Sequence, residues 1–411
     1  MLTREEAKEK IAEIKKNKNP VKRGATLPIR PKETFDVYAI PLEYLVPNIN
    51  NDRITWKIRE YEAENNTKLD INNEADVEYL YSLIEKDNER ANKNTLDDLA
   101  RNGQQVDGVI TNKGVIIDGN RRATLIRKLF NGEAINHKKS IEDFRTFNAI
   151  ILDGDIDEKE IMALETLLQI GSDKPCDYNR ICLYIKVDNL LRVGYGFDQI
   201  RQYMNLKSSK EVEEMENVYK LMTQYLDAIG KPNHFTLLDG LEDHFLNIKT
   251  VFQRMDNKTY DAKWAYDESD VAEFKTMCFD YMRAKFEGKK FRDKLVGKPH
   301  KTDGVFIEES VWKDFLKHHN EIIDSNNPEN EDDWKLLGKK DGKFEHNLND
   351  AEQKLSSFKR DKNISYVIKD IRIKVDTLKS LLKKAPEVSE EDLNSLKELS
   401  SEIYKLTKDY E

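Results

Sequence analysis

Cysteine is scarce: Cys176, Cys182 and Cys278 are the only three in 411 residues, and no two are spaced as CxxC. That pattern excludes a disulfide framework and makes a reducing, cytoplasmic setting the expectation. Long apolar runs are missing as well. None approaches the roughly 20 residues needed to span a bilayer, and the opening "MLTREEAKEKIAEIKKNKNP" has no apolar stretch of the signal-peptide kind. With a hydrophobic share of 38% and a mean hydropathy of −0.76, no membrane association is expected. There is no Walker motif, dinucleotide fingerprint or Ser-His-Asp arrangement. His318 and His319 read as exposed residues of one helix rather than zinc ligands. "LDGDIDEKE" gathers Asp153, Asp155, Asp157 and Glu158 without the later Gly and Glu of a calcium loop, so it reads as an acidic helix start.

Charge, by contrast, is abundant. Asp and Glu number 77 against 68 Lys and Arg, a net charge of −9. This argues against bulk coating of nucleic acid, where affinity comes from neutralising phosphates, but leaves room for local basic patches. "KKNKNPVKR" is one such patch and Arg121-Arg122 is another.

The pattern predicts an α+β N-terminal domain, then an all-α region with a helix-turn-helix, then a long helical C-terminal part. The expected divisions are a basic helix and flexible arm over 1–33, and an α/β domain over 34–155 carrying a helical insertion at about 54–94. A helical domain over 156–230, a helical and irregular stretch over 231–360, and an αα-hairpin over 361–411 follow. Thr3 with Glu6 forms a capping box for the first helix, and Thr95 is expected to cap a short helix ending at Asn102. "GVIT-NKG-VIID" reads as a β-hairpin and "FNAIIL" as a further strand. In the tail, Val367, Ile371, Val375, Leu378 and Leu382 trace one helix face. Leu393, Leu396, Leu399, Ile403 and Leu406 trace another, and these faces can pack on the chain's own body or form a homodimer.

The stretch richest in chemistry is "VITNKGVIIDGNRRATLIRKLFNG", where a hairpin runs straight into a helix through Asp118-Gly119-Asn120-Arg121-Arg122. Gly119 permits a sharp turn and close approach of a ligand. Asn120 can cap the helix, whose first N–H groups attract anions. Arg121 and Arg122 add planar donors suited to phosphate. The same residues also fit a plain capped helix with Asp118 in a surface ion pair, and the five alone do not choose between the two.

The order of segments "PLEYLVPNINNDR", "LDDLARNGQQVDGVITNKGVIIDGNRRATLIRKL" and "LETLLQIGSDKPCDYNRICLYIKVDNLL" resembles that of ParB-like proteins over residues 35 to about 228. The resemblance implies that Gly119, Arg121 and Arg122 hold the triphosphate of a nucleotide, CTP in the chromosome-partition members. It places Gly103 and Gln104 on the segment lining the pocket, with Asn120 at the family's usual Glu. Gln169 matches the Gln of the second box. There the family carries Glu-Asn-x-Gln-Arg and a Glu that helps hold Mg²⁺, whereas this chain has Thr166, with Glu165 one residue away as the metal-ligand candidate. DNA is the implied partner, through a helix-turn-helix whose second helix starts at Lys207, Ser208, Ser209 and Lys210. Four glutamates, Glu211, Glu213, Glu214 and Glu216, follow directly.

The leading expectation is therefore a ParB-like nucleotide- and DNA-binding protein of the plasmid-partition or phage-defence kind, nucleoid-associated when on DNA. Its tail would dock a second copy or another protein. One alternative is a nuclease or nucleotide-dependent phosphotransferase on the same fold, with Asp118 as general base or metal ligand alongside Asp153 or Glu165. Another is a scaffold with a vestigial pocket. The insertion is expected to serve a partner or act as a lid.

Overall fold

A computed structural model describes residues 1–28, 30–132, 140–154, 156–170, 179–298, 303–361, 364–383 and 388–408. The chain is mixed α+β, with a six-stranded N-terminal sheet followed by a helical remainder, and it divides into two compact units. The first comprises Met1–Tyr260 with Asp267–Arg292; the second comprises Asp261–Tyr266 with Asp293–Glu411.

The sheet of the first unit has the order β1-β2-β6-β4-β5-β3. Its strands are β1 (Lys22–Leu27), β2 (Arg30–Pro41), β3 (Val46–Pro47), β4 (Gly108–Thr111), β5 (Val115–Asp118) and β6 (Thr146–Leu152). β4 lies parallel to β6 and β3 parallel to β5, while the other neighbours run antiparallel. Side chains alternate across a strand, and "FNAIIL" shows what that does here. Phe147, Ala149 and Ile151 join one core, and Ile150 and Leu152 join the other. The first core is closed by Ile11 and Ile14 of α1 (Arg4–Asn17), Leu99 of α4 (Glu89–Asn102), and Leu125, Ile126 and Leu129 of α5 (Asn120–Phe130). The second is closed by Leu164 of α6 (Glu158–Gln169).

The N-terminal segment is not an arm. Its Lys22–Leu27 stretch pairs along β2, because Gly24 and Ala25 leave β1 free of bulk while Leu27 is buried at its end. The Arg4 guanidinium ties α1 down by donating to the carbonyls of Leu2, Tyr44 and Lys113. Thr95 is not a cap either. α4 starts six residues earlier under Asn88, whose Oδ1 accepts from the Ala91 N–H, and the Thr95 hydroxyl donates to the Ala91 carbonyl.

The insertion forms α2 (Thr55–Asn65), α3 (Glu74–Asp87) and the beginning of α4. It packs as a buttress. On one side Arg127 and Lys128 of α5 meet Glu78 and Glu85 of α3. On the other, Arg59 of α2 donates to the Tyr219 hydroxyl at 2.8 Å and to Asn189. Those two residues belong to α7 (Arg180–Arg192) and α9 (Ser209–Ala228), so the insertion joins the sheet to the helices downstream.

α8 (Phe197–Tyr203) and α9 are two helices joined by a short turn, with Ser208 capping the second. α9 is 20 residues long and embedded: Val218, Tyr219, Leu221, Met222, Tyr225 and Leu226 are buried. Tyr225 stands edge-on to Phe245 of α10 (Glu242–Asp256) and Phe279 of α11 (Glu268–Arg283). A one-turn helix, α12 (Gly288–Lys290), follows.

The stretch read as helical and irregular, 231–360, carries six helices, α10 to α12 and the three that follow, among its described residues. In the second unit, α13 (Glu309–Asn326), α14 (Glu331–Gly338) and α15 (Lys343–Asp361) enclose Trp312, Phe315, Phe344 and Leu348. His319 is buried there against Phe344, contrary to the expectation of an exposed pair, while His318 is exposed. α16 (Ile364–Leu382) and α17 (Glu390–Lys408) complete the chain. Among the described residues, no helix is long and apolar enough to cross a membrane.

Candidate functional site

At the end of β5 the backbone turns through Gly119, whose φ is +96°. A Cβ there would lie 2.8 Å from the Phe147 ring, so the position demands glycine on two counts, conformation and space. Gly119→Ala is accordingly expected to cost about 1–3 kcal/mol, read as a lower urea midpoint. The turn hands the chain to α5, with Gly119 itself as N-cap and Asn120 as the first helical residue. Asn120 therefore does not cap the helix as the sequence pattern suggested. Its side chain is buried and turns back, donating to the Ile116 carbonyl at 3.0 Å and accepting from the Asn48 N–H at 3.1 Å.

This leaves the first N–H groups of α5 facing a cleft of about 840 Å³. Arg121 and Arg122 line it, as does Arg53 from the segment after β3, with Lys22 of β1 on the far wall. Each cation has an internal carboxylate. Arg121 lies 3.4 Å and Arg53 3.9 Å from Asp87, Arg122 lies 2.9 Å from Asp118, and Lys22 lies 2.7 Å from Asp107. Asp118 thus stands as the ion-pair partner of Arg122. The Arg122 Nε is buried and meets no acceptor among the described residues.

Gln169 lies at the edge of this cleft and donates to the Ile117 carbonyl at 3.4 Å. Gly103 and Gln104 do not line it. Gly103 ends α4, and the Gln104 amide is spent on the Asn148 backbone, accepting its N–H at 2.8 Å and donating to its carbonyl at 2.7 Å. The neighbours Gln105, Val106 and Asp107 line the cleft instead.

Glu165 is not turned toward the cleft. It is fully buried, with the Lys186 ammonium 3.5 Å away, and Lys186 lies 2.9 Å from the equally buried Asp52. The Lys186 ammonium thus stands within ion-pair distance of both buried carboxylates. Among the described residues, no group of three or more His, Cys, Asp and Glu is gathered to hold a metal.

Burial and the Asp52 carboxylate push the Glu165 pKa up to about 8, and burial raises Asp52 as well. Burial also opposes the Lys186 charge, but the two carboxylates outweigh it and raise its pKa. Asn48 links this group to the cleft: its Nδ2 donates to Glu165 at 3.4 Å while its N–H donates to Asn120.

Below the ordinary pKa of 4.5, folded and unfolded chains both hold the Glu165 proton; between there and about 8 only the folded chain does. Stability is therefore expected to fall as pH rises through that window, because the folded state binds more protons than the unfolded one. Glu165→Gln, which cannot ionise, should flatten the slope in urea titrations from acid to mildly alkaline pH.

The buried Lys186 was not anticipated, although "ICLYIKVDNLL" carries a signal: a single cation set among apolar residues on both sides. Lys207, Ser208, Ser209 and Lys210 form the entry and first turn of α9, with both lysines exposed. Beyond them α9 exposes Glu213, Lys220, Gln224 and Asp227, and the Glu214 side chain is 44% exposed, so this face is net negative. Cys176 lies outside the described residues. Comparison with family models, curated proteins and solved structures finds no match to this chain.

Proposed function

We propose that this is a ParB-like phosphate-binding protein whose α/β domain takes a nucleoside triphosphate, CTP first among them, or a DNA phosphate in the cleft at the start of α5. The observation that carries the reading is convergence. One cleft receives the positive end of an 11-residue helix and three guanidiniums from two separate segments, Arg53, Arg121 and Arg122. Their internal carboxylate partners are exchangeable, since a polyphosphate offers the same geometry with more charge. The buried Arg122 Nε adds a donor that meets no acceptor among the described residues.

In this reading Gly119 lets phosphate oxygens approach the backbone, Arg121 and Arg122 grip them, and Gln169 borders the site. Mg²⁺ would arrive with the triphosphate, because Glu165 is engaged by Lys186. Lys207 and Lys210 would meet DNA phosphates at the exposed start of α9, with no base reading by the net-negative face beyond.

Calorimetric titration with CTP, ATP and GTP, with and without Mg²⁺, tests the reading on wild-type protein and on the Arg121→Ala/Arg122→Ala variant; duplex DNA forms a second arm. One triphosphate binding to wild type and lost in the variant is the expected result. DNA binding alone, lost in the same variant, moves the ligand from nucleotide to DNA backbone. Silence in both arms ends the proposal.

A further inference from the structure

The insertion does more than join the sheet to the helices downstream. With the end of α7 it walls a second cavity, of about 640 Å³, a volume within the usual range of about 300–1,000 Å³ for a small-molecule site. This cavity is separate from the cleft at α5. Asn51 and Arg53 line the cleft, whereas Ile49, Asn50 and Thr55 of the same run line the cavity, so one segment borders both. Ile58 and Leu69 give it apolar lining, while Arg59, Asn189 and Arg192 bring N–H donors.

Arg59 is fixed by its own neighbours. Its Nη1 donates to the Tyr219 hydroxyl at 2.8 Å, its Nη2 donates to Asn189, and its Cζ stands over the Phe235 ring, 5.6 Å from the centroid. Of the five N–H donors that a guanidinium carries, these hydrogen bonds use two. Arg192 approaches from α7. One oxygen of Asp188 lies 2.9 Å from the Arg192 Nε and 3.8 Å from the Arg59 Nη2. Two guanidiniums thus converge on one carboxylate and leave a positive charge in excess, the arrangement that Arg53 and Arg121 make about Asp87 in the cleft.

The remaining charges set the size of the anion. Lys68 is balanced by Glu62 at 2.5 Å, and the exposed Glu158 accepts from the Asn50 amide at 3.2 Å. One excess cation attracts one anionic group, and Glu158 repels a ligand that carries several. Asn189, Asn233 and Glu158 are partners for hydroxyls on the rest of such a ligand.

We propose that this cavity binds a small hydroxylated molecule bearing a single oxyanion group, gripped by Arg59 and Arg192. The two guanidiniums fit a phosphate ester or a carboxylate by the same forked geometry. The site does not rest on the phosphate reading of the cleft, and either can fail alone.

Ligand-observed NMR titration of the full chain tests it with glycerol 3-phosphate and glycerate, and with glycerol as the uncharged control. Wild type and Arg121→Ala/Arg122→Ala should both bind one of the oxyanions saturably, with Kd below about 10 mM, and neither should bind glycerol. Whichever oxyanion binds tighter identifies the group. Arg192→Gln should weaken that binding about tenfold or more. The Arg192 side chain is 66% exposed, so this variant tests the grip and not folding. Arg59→Gln should weaken it as much, with circular dichroism showing the helices intact.

No saturable binding of either oxyanion overturns the proposal. Binding that Arg192→Gln leaves unchanged overturns it too, as does binding that disappears in Arg121→Ala/Arg122→Ala, which would belong to the cleft.

Discussion

Lys186→Met is expected to lower the free energy of unfolding at neutral pH by roughly 3–5 kcal/mol, the usual cost of removing one partner from a buried ion pair. The replacement keeps the volume of the side chain, so the loss is electrostatic and not that of a cavity. What remains is Asp52 and Glu165, 1% and 0% exposed in their side chains, with no cation between them. Two carboxyls in that position can stay buried only by taking up protons, so the penalty should shrink toward acid pH and grow toward alkaline pH. Urea unfolding of the variant across that range checks both size and sign. A penalty that does not vary with pH would mean the carboxylates have found other partners. The effect should also reach the cleft, because Asn48 connects Glu165 to Asn120 at the first turn of α5.

The Arg121→Ala/Arg122→Ala variant should lose between about a hundredfold and ten-thousandfold in affinity for the triphosphate. Hydrogen bonds to charged groups are worth about 1.5–3 kcal/mol each, and each 1.4 kcal/mol is tenfold in Kd. The two deletions also uncover Asp87 and Asp118, which adds repulsion against an incoming anion. Stability should change far less, by about 1 kcal/mol or under, since partly exposed ion pairs contribute little. The split between large binding loss and small folding loss separates a ligand-gripping pair from a structural one. Calorimetry and urea unfolding on the same preparation measure it. Raising the salt concentration should weaken wild-type binding as well, because the cleft opens to solvent and its charges are screened.

What the sequence disclosed about fold and site was largely local. The β4–β5 hairpin, the Gly119 turn and the start of α5 are contiguous, so turn chemistry and periodicity sufficed to place them. The same locality misled at Asn120 and Thr95. Each fits a cap by its neighbours, yet Asn120 is claimed by Asn48, which lies 72 residues away. Gln104 was assigned to the pocket by resemblance, whereas its partner Asn148 is 44 residues on and turns it into a brace for β6. Lys22 and Arg53 reach the cleft from the far side of the sheet and from the segment after β3, through pairing that periodicity does not encode. The basic stretch around Lys22 has the composition of an arm. Pairing with β2 overrides that composition, since β-structure depends on neighbours more than on intrinsic preference.

The insertion has a temporal side as well. Arg59 finds its partners 130 and 160 residues later in the chain, at Asn189 and Tyr219, and Glu60 accepts from Thr236, 176 residues later. A ribosome emits residues at about 5–20 per second, so α2 waits roughly 10–35 s for the last of these contacts to exist. Lys186, which neutralises Asp52 behind the cleft wall, arrives during the same interval. The nascent sheet can form early, but its anion-facing cleft becomes rigid only once the downstream helices have emerged. Truncated chains ending before α9 would carry the cleft's residues without the scaffold that holds them.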